Sequence, residues 1–408
     1  MKKILIIALT GLLTGCAGRG NERPRFSQEQ IIHLGLDSVK LLNIDRENSV
    51  VLDLNGFLSD KMIKTSEFID YSTLIPLETT DESLISEIEK LICTENRFFI
   101  IDMNYRNVFI FSHEGKFICK LPTGGGPEDI LNPYDIAVDE RKQILIVEHR
   151  TGLSFFDFNG KFIKKEKPFH IPFYFNKFRV IPEGYLFILA NRRTDNTHLN
   201  KLSDLQVLIT DSTFRIIAAG FPYHYPDANN YGNYDYTNSF ENNVHFAFKF
   251  SDKVYKLENA YSVKECYQLD FHKKRIPEQY LENTDIFWKE ARQNDCYYYM
   301  GDYVECETHE YFALKNNFNR KGFKTFIFRD KSTGNLIGGN QVFVDSDTAP
   351  LFAPPLAGWK DEFIGAISAF AIHNSLTERK TNNEILKNID EDANPVLVKY
   401  KLKRSTEK

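Results

Sequence analysis

Two pairs of aspartates at alternate positions are the residues whose types and spacing could hold a metal ion. Asp345 and Asp347 lie in VFVDSDTAP, and Asp390 and Asp392 lie in NIDEDANP. Carboxylate oxygens bind Ca²⁺ or Zn²⁺, and such an ion can activate water for hydrolysis. Both pairs fall in predicted loops, where aspartate is a common turn residue. The sequence therefore gives Ca²⁺ no support, and we predict no metal site and no cofactor.

Motifs of known enzyme classes do not accompany these acids. The sequence contains no H-E-x-x-H, no C-x-x-C and no serine within G-x-S-x-G, each of which would place a metal ligand or a nucleophile in a defined geometry. The sequence motifs therefore leave the catalytic residues unknown. A metal-dependent hydrolase of the lactonase or esterase kind, acting at a central channel, is kept as the alternative function.

A run of three glycines, residues 124–126 in LPTGGGPEDILNPYD, could cradle a phosphate or let the chain turn. A phosphate-binding loop needs G-x-x-x-x-G-K-[ST] before a helix. Neither Gly115 before Lys116 nor Gly160 before Lys161 has a glycine five positions earlier. The run therefore predicts a turn between β-elements, where glycine permits positive φ and close approach.

Five cysteines remain besides Cys16, an odd number for an oxidising compartment, so one at least is unpaired in a monomer. Cys296 and Cys306 flank YYYMGDYVE and could form a disulfide. Buried strand cysteines that act as small hydrophobic residues fit the same pattern. The sequence leaves both alternatives open.

The N-terminal stretch MKKILIIALTGLLTGC is typical of a secretion signal. Two lysines precede an apolar run from Ile4 to Leu13 that is too short to span a bilayer. Its last four residues, LTGC, resemble the bacterial lipobox, which implies cleavage before Cys16 and acylation of that cysteine. We therefore predict a signal peptide over residues 1–15 and attachment to a membrane through lipid on Cys16.

The residues after Cys16 indicate where the protein would be held. Residue 17 is alanine rather than the aspartate that retains such lipoproteins at the inner membrane, and no acidic cluster follows. We predict an outer-membrane lipoprotein of the cell envelope that faces the periplasm. Residues 16–48 are polar and of mixed charge, which predicts a tether.

The composition favours β-structure and argues against nucleic acid as a partner. The 408 residues include 34 Phe and 20 Tyr, and aromatic residues favour strands. The net charge of −5 is spread over interspersed acids and bases. No sustained positive field is therefore present to hold a phosphate backbone.

An internal repeat defines the elements that must position any site. The sequence GKFI occurs at 115–118 and again at 160–163, a shift of 45 residues, each time after a Phe-rich strand and a turn containing glycine. Each unit reads as four short antiparallel strands, which is the plan of a propeller blade. Continuing this template along the chain gives six blades from about Ile85 onward.

The sixth blade has only three strands at the C-terminus, and an open edge would remain. The stretch FIDYSTLIPLE, residues 68–78, has the length and alternation to pair beside residues 395–403. We therefore predict an all-β protein, a six-bladed β-propeller over residues 49–408, with an N-terminal strand closing the last blade.

Cations recur at the turn after the second strand of the blades, on the face that commonly carries propeller ligand sites. They are Arg106, His149, Arg150, Arg192, Arg193, Lys249 and Arg320. Around a central funnel they would favour an anionic or carboxylated ligand, and Tyr105 and Phe318 could stack on a sugar. These residues are the predicted ligand face; the competing interpretation is that turns are simply polar.

The glycine-rich crossing followed by NPYDIAVDE and FDFNGKFI resembles NHL-type propellers. The leader YSTLIPLETTDESLISEI and the terminus NPVLVKYKLK look like the lipid-anchored six-bladed propeller proteins of Bacteroidetes. The resemblance covers roughly residues 50 to 408. It implies fold and location, but it supplies no common ligand and no catalytic residue.

Nothing catalytic stands out, so the sequence favours a binding or scaffold module over an enzyme. Its partner would be a small molecule, a glycan or an envelope protein. The Tyr-rich stretch FPYHYPDANNYGNYDYTN, residues 221–238, is a candidate surface for a protein partner.

Overall fold

The computed structural model describes residues 26–150, 152–166, 171–189, 193–223, 236–240, 243–248, 250–281, 283–316, 324–378 and 383–404. These residues form short strands grouped into six blades, so the predicted six-bladed β-propeller is confirmed. No described helix is both long and apolar enough to cross a membrane.

The first described elements precede the blades. Helix α1 (Gln28–His33) begins at Ser27, whose hydroxyl accepts from the Gln30 amide while the Gln30 side chain accepts from the Ser27 amide. There follow β1 (Lys40–Leu41), β2 (Asn43–Asp45), β3 (Val50–Asp53), β4 (Met62–Lys64), helix α2 (Thr65–Phe68) and β5 (Ile69–Pro76).

Blades one to three each contain four antiparallel strands in chain order. Blade one is β6 (Lys90–Cys93), β7 (Arg97–Asp102), β8 (Asn107–Ser112) and β9 (Phe117–Lys120). Blade two is β10 (Pro133–Asp139), β11 (Ile144–His149), β12 (Gly152–Asp157) and β13 (Phe162–Glu166). Blade three is β14 (Phe175–Ile181), β15 (Gly184–Leu189), β16 (Leu205–Asp211) and β17 (Ile216–Pro222).

Helices follow blade four and lie between two strands of blade six. Blade four is β18 (Tyr236–Phe240), β19 (Asn243–Ala247), β20 (Lys253–Asn259) and β21 (Ser262–Asp270), followed by α3 (Glu278–Leu281) and α4 (Thr284–Gln293). Blade five is β22 (Tyr298–Glu305), β23 (His309–Lys315), β24 (Lys324–Asp330) and β25 (Leu336–Gly339), followed by β26 (Gln341–Phe343). Blade six contains β27 (Ala357–Trp359), β28 (Glu362–Ile367), α5 (Ala369–Glu378), α6 (Glu384–Lys387) and β29 (Val396–Leu402).

The ring closes as predicted, with strands from both ends of the chain in one sheet. Strand β5 pairs antiparallel with β29 from Val396 opposite Pro76 to Lys401 opposite Tyr71. Strand β29 also pairs with β28, so it holds the N-terminal strand to the rest of blade six. The edge that three C-terminal strands would leave open is therefore occupied.

The segment before β5 runs along the outer edges of the blades. Strand β1 pairs parallel with β17, β2 and β3 pair parallel with β21, and β4 pairs parallel with β26. Leu42, Leu52 and Leu54 are buried there. The described part of the predicted tether, from Phe26 onward, thus lies against blades three and four.

The core consists of side chains packed between neighbouring blades. On β7, Phe99 and Ile101 pack with blade two, whereas Phe98 and Ile100 pack with blade six. Each of the four is at most 1% exposed. Because both faces of such a strand are covered, it is a continuous apolar run rather than an alternating one.

The three glycines form the crossing from β9 to β10, as predicted. The Gly124 amide donates to the Ile130 carbonyl at 3.2 Å, and the Gly126 amide donates to the Asp129 carboxylate at 2.8 Å. Gly124 has φ +153°. A β-carbon at Gly124 would stand 2.7 Å from the Asp129 carboxylate, so the turn leaves little room for a side chain.

The five cysteines after Cys16 are all unpaired. Cys296 and Cys306 lie just beyond opposite ends of β22, and both are buried among apolar residues. Cys296 and Cys306 therefore act as small buried hydrophobic residues, which is the second alternative.

Candidate functional site

Because the strands of each blade are antiparallel, every turn lies on one of the two faces of the propeller. In blade one, β6 pairs with β7 and β7 with β8, so the turns at 94–96 and 103–106 lie at opposite ends of the sheet. The hairpin face carries the turns after the first and third strands. The crossing face carries the turns after the second strands and the crossings between blades. The innermost strands, β6, β10, β14, β18, β22 and β27, surround the centre.

Arg106 and Arg150 of the predicted ligand face are exposed on the crossing face. Tyr105, next to Arg106, is 63% exposed, and Tyr134 and Phe370 on the same face are also exposed. An aromatic side chain beside a guanidinium offers a flat stacking surface and a carboxylate-binding fork in one place.

The side chains of the other predicted cations lie outside the described part of the chain. Arg192, Lys249 and Arg320 lie outside the described residues, as do Phe318 and Cys16. Arg193 begins a 3-10 segment, Arg193–Asp204, but its side chain is not described. Their role in binding stays a prediction.

His149 lies within the sheet rather than on the ligand face. It is 3% exposed, its Nε2 lies 2.8 Å from the Ser154 hydroxyl, and its Nδ1 accepts from the Leu131 amide at 3.3 Å. Burial, with a smaller contribution from Lys165, lowers the pKa of His149 to about 4. The ring is therefore neutral near pH 7 and adds no positive charge to that face.

We expect His149 to make the protein sensitive to acid. An unfolded histidine titrates near pH 6.5, so between that pH and about 4 the unfolded chain binds more protons than the folded one. Stability then falls as pH falls, by on the order of 3 kcal/mol across the window. Urea unfolding of the wild type and of His149→Gln over this pH range measures the loss of stability. Parallel pH profiles of the two proteins would contradict this assignment.

A central cavity of about 1070 Å³ lies among the innermost strands. Its charged lining residues differ along its length. Towards the hairpin face they are Glu95, Asp139, Glu140, Arg141, Glu307 and Lys360. In the middle and towards the crossing face they are Glu89, Lys90, Asp135, Lys177, Arg179, Asp302, Lys315 and Lys324. Acids outnumber bases in the first group, whereas bases outnumber acids in the second.

The first basic group, which we call the Asp135 cluster, comprises Lys90, Asp135, Lys177 and Arg179 on β6, β10 and β14. Asp135 is fully buried; its Oδ1 accepts from Lys90 Nζ at 2.6 Å and its Oδ2 accepts from an Arg179 guanidinium nitrogen at 3.0 Å. The Ile136 amide also donates to Asp135, at 2.9 Å. One carboxylate is thus shared by cations from two other blades.

The charges of this cluster are strongly coupled. Burial opposes ionisation of Asp135, but Lys90, Lys177 and Arg179 outweigh it and hold the pKa of Asp135 well below its usual range. Burial, and then the charge of Arg179, lower the pKa of Lys90 to about 7, against the opposing pull of Asp135. An added anion would favour the charged form of Lys90.

Glu148 on β11 is a second buried carboxyl group that interacts with these charges. Its Oε2 atom is shielded from water and has no hydrogen-bond partner. Burial, and then the charge of Asp135, raise the pKa of Glu148 well above its usual range, although Lys177 and Lys90 oppose the shift. The shift favours the protonated form of Glu148, whereas the neighbouring cations favour the ionised form of Asp135.

A second basic group, the Asp302 cluster, lies in blade five. Lys324 Nζ lies 3.1 Å from an Asp302 carboxylate oxygen, and Lys315 is opposite Lys324 in the β23–β24 register. Burial, and then the charge of Lys324, lower the pKa of Lys315, while Asp302 opposes the change. Asp302 therefore pairs with Lys324 and also acts on the charge of Lys315.

A buried polar network fixes the wall of the cavity between blades four and five. Glu310 accepts from the hydroxyls of Tyr267 at 2.6 Å and Tyr303 at 3.0 Å, and from Arg329 at 2.9 Å. Tyr303 also lines the cavity. Because its hydroxyl is held from behind, its ring presents a fixed surface to the channel.

The aspartate pairs have structural contacts. Asp345 accepts from the Ser66 amide at 2.9 Å and from the Ser66 hydroxyl at 2.7 Å. It thus provides a hydrogen-bond acceptor for an amide in the first turn of α2. Asp390 accepts from the Asp392 amide at 3.1 Å. Among the described residues, no group of three or more His, Cys, Asp or Glu side chains could hold a metal ion.

Comparisons with known proteins give a family and a solved structure of similar fold. A family model described as "Domain of unknown function (DUF4934)" matches residues 49–401. A provisionally named exported protein from Bacteroides fragilis NCTC 9343 is similar at 16% identity and a TM-score of 0.69, over 87% of this chain and 100% of that chain. A DUF4221 family member from Bacteroides vulgatus has 12% identity and a TM-score of 0.47, over 82% and 97%. No curated protein matches this chain significantly.

Proposed function

The chain belongs to the DUF4934 family, which is defined without a function, and we propose from its own channel that it is an exported, lipid-anchored envelope protein that binds an anionic small molecule there. The binding site is the Asp135 cluster. The ligand class is one that carries a carboxylate, such as an acidic sugar.

The cations around Asp135 carry this proposal. Lys90, Lys177 and Arg179 together hold the pKa of Asp135 well below its usual range, and all four residues line the cavity. Cations that line a cavity provide charge-assisted hydrogen bonds to an anion, and arginine can hold a carboxylate with two such bonds.

The crossing face provides a route consistent with this site. Arg106 and Arg150 are exposed there, as is Tyr105 next to Arg106, and the basic half of the cavity lies towards the same face. Surface cations of this kind raise the local concentration of an anion and its rate of association. We propose the same steering role for Arg192, Arg193, Lys249 and Arg320.

The envelope location rests on the N-terminal signal and on the export ascribed to the B. fragilis relative. We propose that acylated Cys16 holds the protein at the outer membrane, on its periplasmic side. Expression of the full chain in a Bacteroidetes host tests this. The wild type should enter the membrane fraction, and Cys16→Ser should release it; an unchanged distribution would contradict the lipid anchor.

Ligand binding is tested on the mature chain, residues 16–408, carrying Cys16→Ser. Glucuronate should raise its melting temperature and neutral glucose should not, because a ligand at a hundredfold its dissociation constant adds about 2.7 kcal/mol. Lys177→Met should abolish the shift. Lys116→Met, on the outside of blade one with a 71% exposed side chain, is the matched control.

Failure of every acidic sugar to shift the wild-type melting temperature would contradict the channel as an anion site. A shift that survives in Lys177→Met, or one that is lost in Lys116→Met, would also overturn the assignment. The channel proposal would then give way to a protein partner in the envelope.

A further inference from the structure

Lys90 places a primary amine on the wall of the central cavity. It lies on β6, the innermost strand of blade one, its side chain is 21% exposed, and it lines the cavity. Its Nζ donates to Asp135 Oδ1 at 2.6 Å and also to the Ile136 carbonyl. Both of these acceptors belong to β10. Lys90 is therefore held by one neighbouring strand while it stays in contact with the cavity.

Charged groups from three strands act on this amine. Asp135 binds Lys90 and Arg179 with its two carboxylate oxygens, which brings the two cations close together. Lys177 on β14 acts on the same amine, and Glu148 on β11 lies opposite Asp135 in the strand register. Burial and the Arg179 charge lower the pKa of Lys90 to about 7 against the pull of Asp135. A large fraction of Lys90 is therefore neutral amine near pH 7.

These surroundings suit a lysine that attacks carbonyl carbon. Lysines that form imines are typically removed from water or placed next to another cation, and Lys90 meets both conditions. The product is also favoured, because a protonated imine keeps a positive charge on the Lys90 nitrogen. The Asp135 carboxylate lies 2.6 Å from that nitrogen and would stabilise the charge.

We propose that Lys90 reversibly forms an imine with the carbonyl group of a ligand that also carries a carboxylate. The ligand class is an oxo acid, or an acidic sugar in its open-chain form. This inference rests on the proposed anion-binding function and deepens it: the carboxylate is held beside Lys177, and the carbonyl group reaches Lys90.

The step is a condensation that needs no oxidant or reductant. The lone pair of the neutral Lys90 nitrogen forms a bond to the carbonyl carbon, and the electrons of the C=O double bond move to oxygen. Proton transfer from nitrogen to oxygen gives a carbinolamine. Loss of water then forms the C=N bond, and addition of water reverses the reaction.

Glyoxylate tests this inference, because it is small and joins an aldehyde to a carboxylate. The mature chain carrying Cys16→Ser is incubated at pH 7 with glyoxylate and cyanoborohydride, which reduces the imine to a stable carboxymethyl amine. Mass spectrometry of peptides then gives the rate at each lysine. A lysine in water has a pKa near 10.4, so a group with a pKa of about 7 holds roughly a thousand times more neutral amine at this pH.

Because a less basic amine is also a weaker nucleophile, we expect a smaller advantage, of at least about tenfold, for Lys90 over Lys116. Lys116 is the reference because its side chain is 71% exposed. Equal rates at the two lysines would overturn the inference.

The role of the carboxylate is tested with acetaldehyde, which lacks it. After correction for the same ratio at Lys116, Lys90 should prefer glyoxylate. Lys177→Met should remove this preference, and Lys142→Met, whose wild-type side chain is 66% exposed, is the matched control that should keep it. A preference that persists in Lys177→Met would contradict the proposed ligand class.

The methyl glycoside of glucuronate separates this inference from the function on which it rests, since it has a carboxylate and no free carbonyl group. It should raise the melting temperature and slow the modification of Lys90 but not that of Lys116. If it does raise the melting temperature while Lys90 reacts no faster than Lys116, the imine inference is wrong and the anion-binding function stands. If it neither stabilises the protein nor protects Lys90, both proposals fail.

Discussion

Ending the chain at Asn394 is expected to abolish the cooperative unfolding transition of the propeller. The truncation removes β29, which joins β5 to β28 in blade six. It also removes Val396, Leu397, Val398 and Tyr400, none of which is exposed to solvent. Blade six would lose both its fourth strand and the strand that anchors it, so blades one and five would face an open gap.

Urea unfolding followed by circular dichroism measures this effect. The control ends the chain at Arg404, which keeps β29 and its neighbours, and should unfold like the full chain. We expect the chain ending at Asn394 to show a broad, non-cooperative transition or to be unfolded without urea. A sharp transition at the wild-type midpoint would show that the ring does not depend on this closure.

Asp135→Ala is expected to destabilise the fold by about 3 kcal/mol, because it leaves Lys90 and Arg179 without their shared carboxylate. Arg179 is 4% exposed, and the Lys90 side chain is 21% exposed, so neither cation can be fully hydrated in its place. Because Lys90 lines the channel and is partly hydrated there, we expect the loss in stability to lie near the lower end of the range for a buried charge that loses its partner.

Asp139→Ala is the matched control, since it makes the same substitution on the same strand. Asp139 is also buried, but its ion-pair partners Arg141 and Lys142 are more than half exposed, so its loss should cost less than the loss of Asp135. Inorganic phosphate should raise the melting temperature of Asp135→Ala more than that of the wild type, because the variant has one more uncompensated positive charge in the cavity. Equal stability of the two variants would contradict the buried ion-pair assignment.

The repeat in the sequence was sufficient to predict the ring. The 45-residue spacing of GKFI indicated two consecutive blades, and the alternation of residues 68–78 identified the strand that closes blade six. The edge strands β1 to β4 were not predicted. They are two to four residues long, which is too short to show an alternating pattern, and their pairing depends on distant strands.

The spacing of the Asp135 cluster residues is visible in the sequence, but the prediction of cationic turns did not use it. Lys90 and Asp135 are 45 residues apart, and Arg179 follows 44 residues later, so the repeat places all three on the innermost strands of consecutive blades. Charges on these mostly apolar strands indicate a polar channel. By contrast, the inward position of Lys315 and Lys324 depends on how far two long side chains reach, which the repeat does not specify.

The most direct test of the central claim is calorimetric titration of the mature chain carrying Cys16→Ser with glucuronate, slightly above neutral pH, in two buffers of different ionisation enthalpy. Because the pKa of Lys90 is about 7, binding beside it should be accompanied by proton uptake. The account predicts one-site binding with that uptake, both lost in Lys177→Met. Absence of binding, or binding without proton uptake that Lys177→Met leaves unchanged, would contradict it.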